Sequence, residues 1–166
     1  MATAHLQFEA ASLSPLETAG PTVESIGTNV KRLAWALDDT TPEYLNWAGE
    51  VPVDIDSAGT VTFRVHGRSK TAVASKNVAF NLEWHKASVG TALDPVSPYT
   101  TEASGDVATD ATQDNDTVAA WTETVATLGW VAKDILAGRL SRVAPTVANL
   151  VGDFYALMLV IDIPLA

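Results

Sequence analysis

Few residues of this sequence have the type and spacing that enzyme chemistry requires. The three histidines, His5, His66 and His85, match no zinc-binding spacing, and the chain has no cysteine. The motifs GxSxG and GxGxxG and the P-loop are also absent. We therefore predict no catalytic residue, no metal site and no cofactor, and we expect a protein that is not an enzyme. A weaker alternative makes His66 and His85 cross-strand neighbours that share a metal ion.

Oxygen ligands are densest at residues 38–43, which read Asp-Asp-Thr-Thr-Pro-Glu. Such a cluster could hold Ca²⁺, but we favour a turn in which Asp and Thr side chains bond to the backbone. The later triplet Asp114, Asn115 and Asp116 resembles half of an EF-hand loop and lacks its glycine and its distal glutamate. No motif among the 20 acidic residues singles out the carboxylate pair that a glycosidase needs.

The five tryptophans offer flat apolar surfaces on which sugar rings can stack. Trp35 and Trp84 fall on the apolar faces of predicted strands, so we expect them in the core. The sequence leaves Trp47, Trp121 and Trp130 undecided. A sugar-binding surface of this kind requires at least one of these three to be exposed.

Composition indicates one acidic domain with a substantial core. The chain has 166 residues, of which 47% are hydrophobic, and a formal net charge of −10. This charge repels nucleic acids and anionic membrane surfaces, so we predict neither as a partner. No apolar run approaches the roughly 18 residues that span a bilayer, and the N-terminus lacks a secretion signal. The absence of cysteine suits assembly in a reducing compartment.

Alternation of apolar and polar residues predicts an all-β fold. Residues 60–66 and 78–84 alternate strictly, as half-buried antiparallel strands do. Further strands are predicted at 32–37, 44–49, 117–127, 136–143 and 155–163. We also expect a helical turn within 146–154 and a long surface loop at 95–116. About eight short strands with little helix indicate a sandwich or a barrel.

Residues 1–29 differ from the rest of the chain, because they contain no Lys or Arg and hold no regular periodicity for long. We predict an extended N-terminal arm over 1–29, with one short strand near residues 5–8, and a β-sandwich domain over 30–166. The arm is either a loose terminus or a segment that docks on a neighbouring subunit. The apolar residues available for docking are Leu6, Phe8, Leu13, Leu16, Val23 and Ile26.

Two predicted strands, 32–37 and 155–163, are apolar on both faces. A strand of this kind is covered on both sides. We predict that residues 155, 157, 159, 161 and 163 face the core. The opposite stripe is then a candidate oligomer interface, formed by Ala34, Ala36, Met158 and Val160. The alternative is that the chain's own arm or loop covers this stripe.

Several of these segments resemble a recurrent jelly-roll domain of tailed-bacteriophage virion proteins. The resemblance begins at residues 38–43 and continues with Trp-Ala-Gly-Glu-Val-Pro at 47–52. Strands 60–66 and 78–84 are similar as well. Later matches are Ala-Lys-Asp at 132–134, where the family has a tight Ala-Gly-Asp turn, Leu-Ser-Arg at 140–142, and 149–153 before the last strand. It covers about residues 31–163.

The resemblance implies an all-β jelly-roll sandwich of about eight antiparallel strands without catalytic residues. It also implies a virion structural protein, in the first place a capsid decoration (cement) protein that stabilises the shell. Its partners would be the major capsid protein and itself, as a homotrimer. It would be assembled in the host cytoplasm and lie on the capsid surface. The alternatives are a tail-fibre or baseplate module that contacts host glycans, and a carbohydrate-binding or glycan-active β-sandwich.

Overall fold

The computed structural model describes residues 2–15, 20–27, 31–70, 76–88, 90–91, 99–112 and 115–166. These residues form twelve β-strands and one short α-helix. The first six strands are β1 (Thr3–Glu9), β2 (Ser14–Pro15), β3 (Thr22–Ile26), β4 (Arg32–Leu37), β5 (Tyr44–Glu50) and β6 (Thr60–Ser69). The remaining elements are β7 (Asn77–Ala87), β8 (Thr100–Ala103), β9 (Val107–Ala108), β10 (Thr117–Thr124), α1 (Val125–Leu128), β11 (Ile135–Val143) and β12 (Phe154–Pro164).

The strands form two antiparallel sheets that pack as a sandwich, which confirms the predicted all-β jelly-roll class. Sheet A has the order β10-β6-β12-β4-β3, and β1 also pairs with β12. Sheet B has the order β2-β5-β11-β7-β8, and β9 also pairs with β7. The strict alternation at residues 60–66 and 78–84 places β6 in sheet A and β7 in sheet B, with their apolar faces turned toward each other.

Aromatic rings fill the space between the two sheets. The ring of Phe63 lies 5.5 Å from that of Trp121, 6.0 Å from Trp130 and 6.3 Å from Trp84, measured between centroids. Trp84 and Trp130 also meet edge to face at 5.8 Å. Large buried rings of this kind dominate the apolar area that a small sandwich removes from water.

A β-bulge in β12 changes which of its residues face the core. Opposite β6, Ala156 pairs with Gly67 and Met158 with His66, so Leu157 is the extra residue. Beyond the bulge, residues 159, 161 and 163 face the core as predicted. Before it, the prediction for residues 155 and 157 was wrong, because Tyr155 and Leu157 belong to a separate outer cluster. A side chain at Gly67 would overlap Phe154 and the Tyr155 carbonyl, so glycine permits this close approach.

The segment 1–29 differs from the expected arm wherever it is described, because three strands join it to the sandwich. β1 pairs with β12 from Thr3 opposite Pro164 to Glu9 opposite Met158, while β2 pairs with β5 and β3 with β4. Along β1 the exposure alternates residue by residue. The physical reason is that Ala4, Leu6 and Phe8 have the period of a half-buried strand, which extends the short strand expected near residues 5–8.

Two local elements also differ from the predictions. Strand 117–127 stops at Thr124, whose side chain caps α1 by accepting a hydrogen bond from the Thr127 amide at 3.1 Å. Residues 146–154 form no helix. There the amides of Thr146 and Val147 donate to the Asp106 carboxylate at 2.8 and 3.1 Å.

The predicted loop at 95–116 contains more structure than expected, since β8 and β9 lie within it. Residues 95–98, 113 and 114 lie outside the described residues, and so does the prediction for Asp114. The described part is bonded to distant residues, as where the Thr109 amide donates to the Lys76 carbonyl at 2.8 Å.

Candidate functional site

The acidic segment 38–43 is a backbone-bonded turn. Asp38 Oδ1 accepts hydrogen bonds from the Thr40 amide and hydroxyl, both at 2.6 Å, and from the Thr41 amide at 3.0 Å. The Thr40 side chain, followed by the two amides, lowers the pKa of Asp38. Glu43 accepts from the Asp38 amide at 2.7 Å, and burial raises the pKa of Glu43. Asp38 and Glu43 thus use their acceptor oxygens on the chain itself, as the favoured turn interpretation requires.

Two of the segments that carry the phage resemblance meet at one buried arginine. Arg142, which is 4% exposed, donates to the carbonyl oxygens of Leu37 at 3.1 Å, Gly152 at 2.6 Å and Leu150. It also bonds to the Asn149 amide oxygen at 3.4 Å. Strand β11, the end of β4 just before the 38–43 turn and the 149–153 segment are therefore held together by one side chain. This gives Arg142 a structural role.

The turn at 132–134 keeps the geometry of a glycine turn although lysine occupies the glycine position. Lys133 has φ of 68°, in the left-handed region that glycine favours. Its amide donates to the Val51 carbonyl at 2.9 Å. The buried Asp134 carboxylate accepts from Ser88 Oγ at 2.8 Å and from the Val131 amide at 3.1 Å. Bonds from both sides of the turn therefore hold Lys133 in this conformation.

The tryptophans do not form a sugar-stacking surface. Trp47, Trp121 and Trp130 are 4%, 9% and 2% exposed and belong to the core. The proposed histidine pair is also corrected, because His66 lies on β6 of sheet A and His85 on β7 of sheet B. Within the described ranges, no three His, Cys, Asp or Glu side chains are grouped as a metal site. No helix there is long and apolar enough to cross a membrane.

The candidate interface stripe is largely covered by the chain itself. Ala34, Ala36 and Val160 are buried, and Met158 is half-buried. The two alanines pack with Ile26 and Tyr155 in a small cluster on the outer side of sheet A. This arrangement matches the alternative in which an N-terminal segment covers the stripe. It leaves Met158 as the member of the set that borders a groove.

The apolar residues of segment 1–29 have different surroundings from one another. Leu13 is buried in the main core, and Leu6 and Phe8 are half-buried against it. Ile26 is buried on the outer side, whereas Val23 is 49% exposed. Leu16 lies outside the described residues. Of the five that are described, four therefore pack within this chain, which leaves Val23 as the exposed member of the set.

A surface groove lies where two strands share one edge of β12. β4 pairs with residues 154–156 and β1 with residues 158–164, so a gap opens beside the Leu157 bulge. The groove has a volume of about 670 Å³. Two bonds fix its floor: the Ala10 amide donates to the Leu157 carbonyl at 2.9 Å, and Trp35 Nε1 donates to the Ala10 carbonyl at 2.7 Å.

Both apolar and polar side chains line this groove. The apolar lining includes Leu33, Leu157 and Met158. The polar lining is Gln7, Glu9, Lys31, Arg32, His66, Arg68 and Asp116. His66 Nδ1 lies 2.9 Å from Asp116 Oδ2, while Asp116 Oδ1 accepts from the Gly67 amide at 3.1 Å. The groove thus presents hydrogen-bond donors and acceptors together with apolar surface.

The outer face of sheet B carries a second cluster, which we call the tyrosine platform: Tyr44, Glu83, His85, Tyr99 and Arg139. The Arg139 guanidinium carbon lies 4.2 Å from the Tyr44 ring centroid and 4.6 Å from that of Tyr99. The rings of His85 and Tyr99 are 4.2 Å apart. Arg139 Nε donates to Glu83 Oε2 at 2.5 Å, and this bond raises the pKa of Arg139.

Neither the groove nor the tyrosine platform was predicted from the sequence. Both assemble residues from distant segments: the groove joins β1, β4, β6 and β12, and the platform joins β5, β7, β11 and residue 99. For the platform, one signal was present, because Glu83 in the strand predicted at 78–84, and His85 directly after it, alternate with core residues and had to face outward.

Comparison with solved structures shows the fold. The structure matches a family 35 carbohydrate-binding module from Clostridium thermocellum with a TM-score of 0.51, 10% identity, and 95% and 97% coverage of the two chains. The CBM35 of Cellvibrio japonicus Abf62 matches with a TM-score of 0.51 and 13% identity, over 95% of this chain and 92% of that chain. The isomalto-dextranase of Arthrobacter globiformis T6, complexed with panose, matches with a TM-score of 0.55 and 15% identity, over 95% of this chain and 23% of that chain. No family model and no curated protein match the sequence.

Proposed function

We propose that this chain is a non-catalytic module that binds a glycan in the groove beside the β12 bulge. The groove carries the proposal, because it is a concave surface of about 670 Å³ lined by both polar and apolar side chains. A sugar ring has hydroxyl groups around its rim and C–H groups on its faces, and it fits such a surface. The preferred function is therefore the glycan-binding alternative, ahead of the capsid decoration protein.

The chemistry of the groove supports this ligand class. Gln7 offers both a donor and an acceptor, Glu9 and Asp116 offer acceptors, and Arg32 offers paired donors. Vicinal hydroxyl groups of a sugar bind such planar groups in pairs. The half-buried Met158 provides apolar contact for a C–H face. The matched solved structures include carbohydrate-binding modules, and this shared fold makes glycans the first ligands to test.

Native gels that contain dextran, xylan, galactan or bacterial lipopolysaccharide test the proposal. We expect at least one polysaccharide to retard the wild-type protein. The double variant Gln7→Ala/Glu9→Ala removes groove hydrogen bonds and should weaken binding about tenfold or more. Thr3→Ala, on the exposed face of the same strand and outside the groove, is the matched control. Absence of retardation in all four gels would overturn the glycan proposal, and equal retardation of both variants would exclude the groove.

The capsid decoration protein is the second candidate. One observation favours it: Lys133 adopts the conformation that a glycine supplies in the turn of the resembling family. Immunogold labelling of whole particles tests it, since a decoration protein labels the heads and a host-binding module labels the tail. Met158→Asp should dissociate a trimer that packs through the groove, and an intact oligomer in sedimentation would reject that interface.

A further inference from the structure

We infer that the tyrosine platform on sheet B is a second glycan-binding surface, for an uncharged sugar chain. This inference rests on the proposed glycan-binding function and adds a second site to it. Its first basis is the accessibility of an aromatic ring, since Tyr99 is 40% exposed. Tyr44 and His85 are half-buried beside it. Partly exposed rings next to polar groups are suited to ligands that have both C–H faces and hydroxyl groups.

The second basis is the fixed geometry of the cluster. Arg139 lies within 4.6 Å of both tyrosine ring centroids, and the rings of His85 and Tyr99 are 4.2 Å apart and tilted by 35°. These contacts join side chains from three adjacent strands and the residue before β8. A surface that is ordered before binding loses less side-chain entropy when the ligand arrives. The platform therefore favours a ligand that lies flat across the strands.

The third basis is the charge of the cluster, which selects an uncharged ligand. Arg139 and Glu83 are joined by a 2.5 Å ion pair, so the cation and the anion compensate each other. An acidic sugar would have to displace Glu83, and a basic ligand would have to displace Arg139. Hydroxyl groups can bond to the remaining donor and acceptor positions of both side chains without separating them.

The groove and the platform lie on the outer faces of opposite sheets, so one molecule would contact two sugar chains. Nuclear magnetic resonance distinguishes the two sites, because the sequence supplies natural reporters. Of the three tyrosines, Tyr44 and Tyr99 are in the platform, and Tyr155 is on the other sheet. Of the two methionines, Met158 borders the groove. Protein labelled with 3-fluorotyrosine and methyl-¹³C-methionine is titrated with isomaltohexaose, xylohexaose and galactotriose.

Shifts of the Tyr44 and Tyr99 signals, with Tyr155 unchanged, support the platform site. Shifts of Met158 alone overturn it and leave the groove and the proposed function in place. Shifts of the two tyrosines alone support the platform and overturn the groove. If no signal moves with any of the three sugars, both proposals fail.

A substitution provides the second arm of this experiment. Tyr99→Ala should lower the sugar affinity measured from the Tyr44 signal by about threefold to tenfold. The affinity measured from the Met158 signal should not change. Val118→Ala, an exposed position on sheet A, is the matched control. An unchanged Tyr44 titration in Tyr99→Ala would overturn the inference even if the groove binds sugar normally.

Discussion

Arg139 and Arg142 lie on the same strand, β11, and face opposite sides of sheet B. Arg142 points between the sheets and bonds to three backbone carbonyl groups and one amide oxygen. Arg139 points to solvent, where it pairs with Glu83 and contacts two tyrosine rings. The first arrangement fixes chain segments to each other, and the second offers polar and aromatic groups to a ligand. The two arginines therefore differ in role because one faces the core and the other faces solvent.

This comparison also explains why the phage resemblance says little about function. The resembling segments 140–142 and 149–153 meet at the buried Arg142, beside the end of β4 just before 38–43. A sequence pattern that arises from contacts inside a β-sandwich can occur in proteins with different ligands. The groove and the tyrosine platform lie mainly on residues outside those segments.

Replacing Arg142 with Met should have the largest effect. The carbonyls of Leu37, Leu150 and Gly152 would lose their shared donor, and we expect a loss of about 3–5 kcal/mol in the free energy of unfolding. Urea denaturation followed by tryptophan fluorescence measures this loss. The same change at Arg139 is the control. Similar losses for the two variants would contradict the division of roles between the arginines.

Asp38→Ala tests the turn that precedes the Leu37–Arg142 bond. We expect a loss of about 1 kcal/mol at pH 7, because three local hydrogen bonds disappear. The pKa of Asp38 is lowered in the folded state, so its stabilisation is present above the unfolded pKa and is lost as pH falls through the folded one. Denaturation curves should converge below about pH 4. A difference independent of pH would show that the carboxylate charge is not involved, and Asp39→Ala is the control.

Arg139→Met should change stability by less than about 1 kcal/mol, since the Glu83 pair and the tyrosine contacts are at the surface. It should nevertheless reduce glycan binding at the platform. Thermal denaturation and the fluorotyrosine titration measure the two effects on one sample. A large loss of stability would assign Arg139 a structural role like that of Arg142.

Glu102→Gln should have the smallest effect on stability, and unlike the preceding substitutions it should stabilise the protein. Glu102 pairs with the core residue Leu82 on β7, so it is turned inward, and burial raises its pKa, with the charge of Glu123 as the second cause. A raised pKa means that stability declines as pH rises through the folded value, so the neutral amide should increase Tm at pH 7 by about 1–2 °C. The increase should disappear near pH 4. A decrease in Tm at pH 7 would show that the carboxylate has a stabilising partner.

Much of the sandwich was predictable because its strands alternate. The bounds of β4 matched the prediction, and those of β5, β11 and β12 differed by a single residue at one or both ends. The bulge at Leu157 was not predictable. Both faces of β12 are apolar, so its sequence has no polar–apolar alternation in which an extra residue would be visible. Only part of β1 was expected in segment 1–29, because its partner is distant in sequence, as for Thr3 and Pro164. β2 and β3 were missed because residues 13–26 hold no regular alternation.

The candidate sites were less predictable than the fold. The prediction considered tryptophans as sugar platforms, yet the described structure buries all three that were undecided. Tyrosines and charged side chains form the exposed cluster instead. Their proximity depends on the register of β5, β11 and β7, in which Arg139 lies opposite Asn46 on one side and Glu83 on the other. Cross-strand register of this kind cannot be read from one sequence.

The position of β12 in sheet A sets an order for folding during synthesis. β12 lies between β6 on one side and β4 and β1 on the other, and it follows every other described strand in the chain. Five strands of sheet B precede its central strand β11, which ends at Val143; they are β2, β5, β7, β8 and β9. Sheet B can therefore assemble while sheet A still lacks its central strand. β1 gains its partner strand only when β12 is made, and this pairing joins the two ends of the described chain.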